Sequence, residues 1–321
     1  MKAPTVLLHT DAPEEALAIV RAAHPDLSVH SCDSYAALPG LIVETGAEVI
    51  YSVRFAGTTA YPASAALSPP VKWLSVGGSG IDHLGPWDTA AVTVTNAAGV
   101  AADMMAEYVL GTTLQFTLRL DRFRALQAER CWISNGQMDP IEGQTCLILG
   151  LGKTGQAVAR RMKAMGMHVI GVRARPKLTD HCDEVCGMEA LPALWSRVDV
   201  VVVCVPLLPS TRGLVGAEAF ASMKQTAVLV DVSRGGVIEE APLIDALQSG
   251  RIRGAALDVF QQEPLPIDSP IWGLENVILT PHCSSVYAGW AAKSVRMFAD
   301  NLGRYRRGEM LSNIVDPARG Y

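Results

Sequence analysis

Three polar residues close three late apolar runs of the chain. Arg234 follows LVDVS, Glu263 follows ALDVFQQ and His282 follows VILTP. An arginine offers forked donors that grip a carboxylate. A histidine can give a proton to a ketone oxygen. A glutamate beside that histidine would favour its imidazolium form. If the three runs are parallel strands, their C-terminal ends converge on one ligand crevice. The trio would then suit hydride reduction of a 2-oxo acid.

A hydride donor needs its own cradle. Gly150-Leu151-Gly152-Lys153-Thr154-Gly155 follows an apolar run and opens a helical pattern. In such a turn one glycine makes the bend, one admits a pyrophosphate and one lets helix and strand pack closely. The helix N-terminus adds free N–H groups and partial positive charge, with Lys153 and Thr154 in its first turn. An acid that grips the ribose is expected about 20 residues beyond the glycines. Here HVIGVRARP (168–176) places Arg173 there, with Arg175 two residues on. A guanidinium cannot accept from ribose hydroxyls, but it can clamp a 2′-phosphate. The expected cofactor is therefore NADP(H).

The elements that must hold these groups follow a βα rhythm. TVLLH (5–9), AEVIYSV (47–53), KWLSVG (72–77) and VTVTN (92–96) read as strands, and PEEALAIVRAA (13–23) as a helix. Residues 101–132 read as one long helix followed by a second. Six apolar runs then resume at 145–150, 167–172, 198–205, 227–233, 254–260 and 276–280. Runs this rich in valine, isoleucine and leucine fit strands buried on both faces of a parallel sheet. The tail, 289–309, reads as a helix returning to the first part. The expected fold class is α/β: two Rossmann-like doubly wound parallel-sheet domains with a cleft between them. The expected substrate domain is 1–98 plus 286–321, and the expected dinucleotide domain is 99–285.

The chain has 321 residues, a net charge of −5 and a pI near 5.8, which disfavours a nucleic-acid partner. The run VVVCV (201–205) is too short for a membrane span. The start, MKAPTVLLHTDAPEEA, lacks the apolar run of a secretory leader. Seven cysteines without a spacing framework suggest a reducing cytoplasm. His181-Cys182-Asp183-Glu184-Val185-Cys186 superficially resembles a metal site, but the ligand set is incomplete. We read it as a surface loop and expect no metal.

The chain resembles the D-isomer-specific 2-hydroxyacid dehydrogenase family along nearly its whole length. The resemblance rests on VGGSGIDHL (76–84), AEYVL (106–110), the glycine turn, VPLLPSTRGLV (205–215), DVSRGGVIEE (231–240), ALDVFQQEPLP (256–266) and TPH (280–282). It implies that Arg234 binds substrate, that Glu263 orients His282 and that His282 is the acid/base. It implies that Asp258 meets the nicotinamide carboxamide and that Gly78, Ser79 and Gly80 cradle the substrate carboxylate. Val205, Pro206, Thr211 and Val232 fall at cofactor-lining positions. Arg54 could reach a substrate carboxylate from the other domain. Arg173 and the segment Cys283-Ser284-Ser285-Val286-Tyr287 depart from the usual pattern. With VIGVRARP they look most like the NADPH-dependent glyoxylate/hydroxypyruvate reductase branch. The resemblance further implies a homodimer through 101–132. The alternatives are a cofactor-binding sensor or co-repressor without turnover, and a dehydrogenase of another small acid.

Overall fold

The computed structural model describes residues 3–53 and 61–317. Arg54 lies outside the described residues. Among the described residues no helix is long and apolar enough to cross a membrane. The chain forms two units, one built from residues 1–100 with 287–321 and the other from 101–286.

The first unit holds β1 (Val6–His9), β2 (Val29–Cys32), β3 (Val49–Ser52), β4 (Trp73–Val76) and β5 (Thr93–Asn96). They pair in parallel in the order β2-β1-β3-β4-β5. Helix Pro13–Ala23 has proline at its start and Glu14 and Glu15 in its first turn, where the missing N–H and the helix dipole favour them. The C-terminal helix Trp290–Arg307 lays Val295, Phe298 and Leu302 into the core. Trp73 stacks on that helix through Tyr305, with ring centroids 5.3 Å apart. Each such fully buried apolar side chain stabilises by about 1.5–3 kcal/mol relative to exposure.

The second unit holds β6 (Thr145–Leu149), β7 (His168–Val172), β8 (Glu184–Cys186), β9 (Val200–Val203), β10 (Val228–Asp231), β11 (Gly254–Leu257) and β12 (Val277–Leu279). The order is β12-β11-β10-β9-β6-β7-β8, with each neighbouring pair parallel. The strand order reverses beside β6, which carries the glycine turn, as in a doubly wound dinucleotide fold. β9 and β10 are buried along their whole length, as continuous apolar runs predict.

Two strands differ from the sequence reading. β8 falls inside the 181–186 segment expected to be a surface loop, where it pairs with Ile170–Val172. The acids of this segment are engaged: Asp183 meets Lys163 at 2.5 Å, and Glu184 meets His168 at 2.8 Å and Arg197 at 2.5 Å. β2, with the polar sequence VHSC, is the other edge strand missed by pattern. The 101–132 region forms helices Ala102–Thr117 and Leu120–Ala128, broken at Arg119, which has φ +55°. The first buries Ala106, Val109 and Phe116 in the core of the seven-stranded unit. The second buries none of its residues.

Candidate active site

The glycine turn is shaped by contacts that only glycine permits. Gly150 has φ +97°, and its N–H donates to the Val172 carbonyl at 2.8 Å, joining the turn to β7. A Cβ on Gly155 would lie 1.9 Å from the Gly150 carbonyl oxygen, so helix and strand could not close with any other residue there. A Cβ on Gly152 would meet nothing within 4 Å. The chain itself therefore leaves room at Gly152, where a pyrophosphate must approach. No side chain caps the helix Lys153–Ala164, so its first N–H groups face outward. The turn thus fits a dinucleotide. Lys153 is exposed, and the Thr154 hydroxyl lies 3.6 Å from the Met105 sulfur.

Arg173 leaves the end of β7 half-buried, and Arg175 is exposed. Neither guanidinium has a hydrogen-bond or ion-pair partner among the described residues. Thr211 is buried and pins its own loop: its hydroxyl donates to the Pro206 carbonyl at 2.6 Å and accepts from the Leu208 N–H at 2.8 Å. The side chains of Val205 and Val232 pack in the two hydrophobic cores of this unit.

The structure brings Glu263 and His282 together. His282 Nδ1–H donates to Glu263 Oε2 at 2.8 Å, while Glu263 Oε1 accepts from the Phe260 N–H at 3.0 Å. This bond assigns the ring's hydrogen to Nδ1 and leaves Nε2 for chemistry. Burial raises the Glu263 pKa, but the His282 and Phe260 hydrogen bonds and the charges of His282 and Arg234 outweigh it. The carboxyl is held below its ordinary value. Arg234 is half-buried, with one N–H on the Ser233 carbonyl at 2.7 Å. Gly235 follows it, and a Cβ there would lie 1.8 Å from the Phe260 carbonyl oxygen. That close approach sets the Arg234 loop against the loop that carries Glu263.

Asp258 is 1% exposed, and both of its oxygens are in use. It accepts from the Thr280 hydroxyl at 2.6 Å, the Cys283 N–H at 2.8 Å, the Ser284 N–H at 3.0 Å and the Ser284 hydroxyl at 2.5 Å. A nicotinamide carboxamide would have to share an oxygen already engaged. Asp231 was not singled out by its sequence, yet it is buried at the end of β10. Desolvation pushes its pKa up to about 7, with Asp258 adding to the rise and the hydrogen bonds from Ser233 opposing it. Its only sequence signal was position, three residues before Arg234.

In the first unit, the loop after β4 is tied by its carbonyls. Asn96 Nδ2 donates to the Ser79 carbonyl at 2.8 Å, and the Ala97 N–H donates to the Gly78 carbonyl at 2.9 Å. The N–H groups of Gly78, Ser79 and Gly80 find no acceptor among the described residues. Unengaged backbone amides in a turn are donors that an anion can use. Asp82 opens the short 3₁₀ turn that follows. The Tyr287 hydroxyl is anchored on the Val100 carbonyl at 3.0 Å.

A parallel seven-stranded sheet with a glycine turn at its reversal, and a Glu–His pair and an arginine beyond its strand ends, has the form of a dinucleotide-binding unit. Residues 110–284 match the model of the D-isomer specific 2-hydroxyacid dehydrogenase, NAD binding domain. The chain is 36% identical over 258 residues to a D-3-phosphoglycerate dehydrogenase of Methanocaldococcus jannaschii, covering 77% of this chain and 48% of that protein. It thus spans about half the length of that relative. It is 35% identical over 232 residues to a glyoxylate reductase of Korarchaeum cryptofilum, covering 70% of this chain and 69% of that protein. A solved D-isomer specific 2-hydroxyacid dehydrogenase from Xanthobacter autotrophicus, in complex with NADPH and MES, superposes with a TM-score of 0.84 at 32% identity. That match covers 99% of this chain and 100% of the other. The chain belongs to the D-isomer-specific 2-hydroxyacid dehydrogenase family.

Proposed function

We propose that this protein reduces small 2-oxo acids, glyoxylate and hydroxypyruvate, to D-2-hydroxy acids at the expense of NADPH. The observation that carries this reading is the 2.8 Å bond from His282 Nδ1 to Glu263, which leaves Nε2 without a partner among the described residues, with the Arg234 charge close enough to help hold the Glu263 carboxyl below its ordinary value. A reduced nicotinamide, when bound, supplies the hydride. The residues of the chain do the rest. Arg234 grips the substrate carboxylate through its forked donors. The amides of Gly78, Ser79 and Gly80 are suited to the same carboxylate. Glu263 accepts from Nδ1–H and fixes the ring's orientation. In its imidazolium form His282 also carries a hydrogen on Nε2, which passes to the carbonyl oxygen as negative charge grows there and leaves the ring neutral with its hydrogen on Nδ1.

The choice of NADPH rests on Arg173 and Arg175, two unengaged guanidiniums just beyond β7 where a ribose-gripping acid is expected. The Xanthobacter relative with NADPH supports it. The substrate class is supported by the relative named glyoxylate reductase. Pairing of two copies through 101–132 belongs to the same reading. It is supported by helix Leu120–Ala128, which buries none of its residues, and by Trp132, which is 92% exposed. A reducing, cytoplasmic setting is supported by seven unpaired thiols.

Initial rates of NADPH and NADH oxidation with glyoxylate, hydroxypyruvate and pyruvate test the reading. The expected result is turnover with the first two acids and a much lower KM for NADPH. No oxidation of either cofactor with any of the three acids would remove it.

A further inference from the structure

The histidine turn is held by a polar chain that begins on a distant helix. The Tyr108 hydroxyl lies 2.9 Å from Thr280 Oγ1, and Thr280 Oγ1 donates to Asp258 at 2.6 Å. A hydroxyl has one hydrogen to give. Thr280 has given its own to the carboxylate, so Tyr108 is the donor to Thr280. The chain has a direction, Tyr108 to Thr280 to Asp258. The same carboxylate accepts from the Cys283 and Ser284 N–H groups and from the Ser284 hydroxyl. These donors lie on both sides of His282 in the sequence. His282 itself has φ +52°, a region that a residue with a side chain enters only when its surroundings hold it there.

We infer that Tyr108 is a positioning residue for His282, acting through Thr280 and Asp258. The inference rests on the reading of His282 as the proton donor. The Tyr108 ring belongs to helix Ala102–Thr117, which is packed into the core of the unit, so it is a fixed post for a mobile hydroxyl. Burial pushes the Tyr108 pKa up to about 12, so its hydroxyl remains a donor at working pH. Without it, the Thr280 hydroxyl loses the partner that points its hydrogen at Asp258. The turn then samples geometries in which Nε2 misses the carbonyl oxygen, a loss felt in the chemical step and not in binding.

The experiment compares Tyr108→Phe, Thr280→Val and Thr280→Ser with the unmutated protein, using NADPH, C4-deuterated NADPH and glyoxylate. Tyr108→Phe should lower kcat about fivefold, the worth of one neutral hydrogen bond, with KM nearly unchanged. Thr280→Val should lower it further, and Thr280→Ser, which keeps the hydroxyl, should recover most of that loss. The deuterium isotope effect on kcat should rise in Tyr108→Phe, because the chemical step has slowed. An unchanged kcat, or a lower kcat with an unchanged isotope effect, overturns the proposal, since mere loss of folded protein gives the second pattern. A readout independent of turnover is the ring ¹H–¹³C signal of His282, assigned by its loss in His282→Ala. It should shift or broaden in Tyr108→Phe, and identical signals overturn the proposal. Absence of turnover in the unmutated protein would sink the functional reading alone, leaving the ring signals to decide this one.

Discussion

The two sheets share parallel strands and cores of valine, isoleucine and leucine, yet their C-terminal edges carry different chemistry. In the five-stranded unit, β1 and β3 end in His9 and Ser52, both buried, with Nδ1 and Oγ 2.8 Å apart. The Tyr61 hydroxyl donates to the same Ser52 oxygen at 3.0 Å, and the Tyr35 ring stacks on His9 at 5.2 Å. After β4, the backbone amides of Gly78–Gly80 have no acceptor among the described residues. In the seven-stranded unit, strand ends and the loops beyond them carry Asp231, Arg234, Asp258, Glu263 and His282. The difference teaches where charge can be used. A titratable side chain at the buried end of a strand is driven neutral by desolvation. One carried a few residues beyond the strand, as Glu263 is, keeps enough partners for its carboxyl to be held below the ordinary value.

The largest expected effect breaks the comparison on the charged side. Replacing His282 by alanine should lower kcat for glyoxylate by about 10²–10⁴-fold, the range of a lost general acid. Steady-state NADPH oxidation measures it, and near-normal turnover would move the proton donor elsewhere. Circular dichroism should be unchanged, because His282 is outside both cores.

The next effect concerns the two buried, neutral groups, which respond to pH with opposite sign. Burial lowers the His9 pKa from 6.5 to about 4 against the attraction of Asp33 and Asp11. The unfolded chain therefore binds a proton that the folded unit refuses. Stability linked to His9 is present above about pH 6.5 and falls by roughly 3 kcal/mol as pH drops toward 4. Asp231, raised from 3.8 to about 7, does the reverse. Its contribution is full below the unfolded value near 3.8 and is lost as pH rises through about 7. Urea unfolding across this range should show His9→Phe with a flatter acid slope and Asp231→Asn with a flatter alkaline one. Parallel slopes in mutant and parent would show that these groups do not titrate as the contrast requires.

The smallest effect sharpens the contrast inside the seven-stranded unit, between the arginine pair after β7 and the engaged acids of β8. Arg173→Asp should reduce the NADPH-over-NADH ratio of kcat/KM by about ten- to a hundredfold, the worth of one or two charge-assisted bonds. A ratio that does not move would assign those guanidiniums to the solvent.

Much of this was legible from one dimension. Valine-rich runs marked β6, β7, β9, β10 and β11, because strands buried on both faces must be apolar throughout, and β12, an edge strand only partly buried, was legible because its sequence VIL is apolar all the same. The glycine turn was legible because its steric demands are local: a bend at Gly150 and a contact at Gly155. Arg234, Glu263 and His282 could be named because each follows such a run at the end where ligands gather. β2 and β8 were not legible, because an edge strand is half-exposed and carries polar residues such as His30 and Glu184. In the helical stretch 101–132, Tyr108 stands with Met104, Met105 and Val109 in the apolar pattern of one helix face. The part of Tyr108 that reaches Thr280 is a single hydroxyl, which hydrophobic patterning does not register.

By itself the sequence determined which segments become strands and helices, where the dinucleotide turn lies and which three side chains stand at strand ends. These follow from short-range rules of burial, periodicity and backbone sterics. Only the tertiary structure decided how those groups are used. It filled both oxygens of Asp258 with donors from 280–284, set the tautomer of His282 through Glu263, and pushed Asp231 and His9 toward neutrality by burying them. Hydrogen-bond partners and desolvation depend on atoms that the fold gathers from far along the chain.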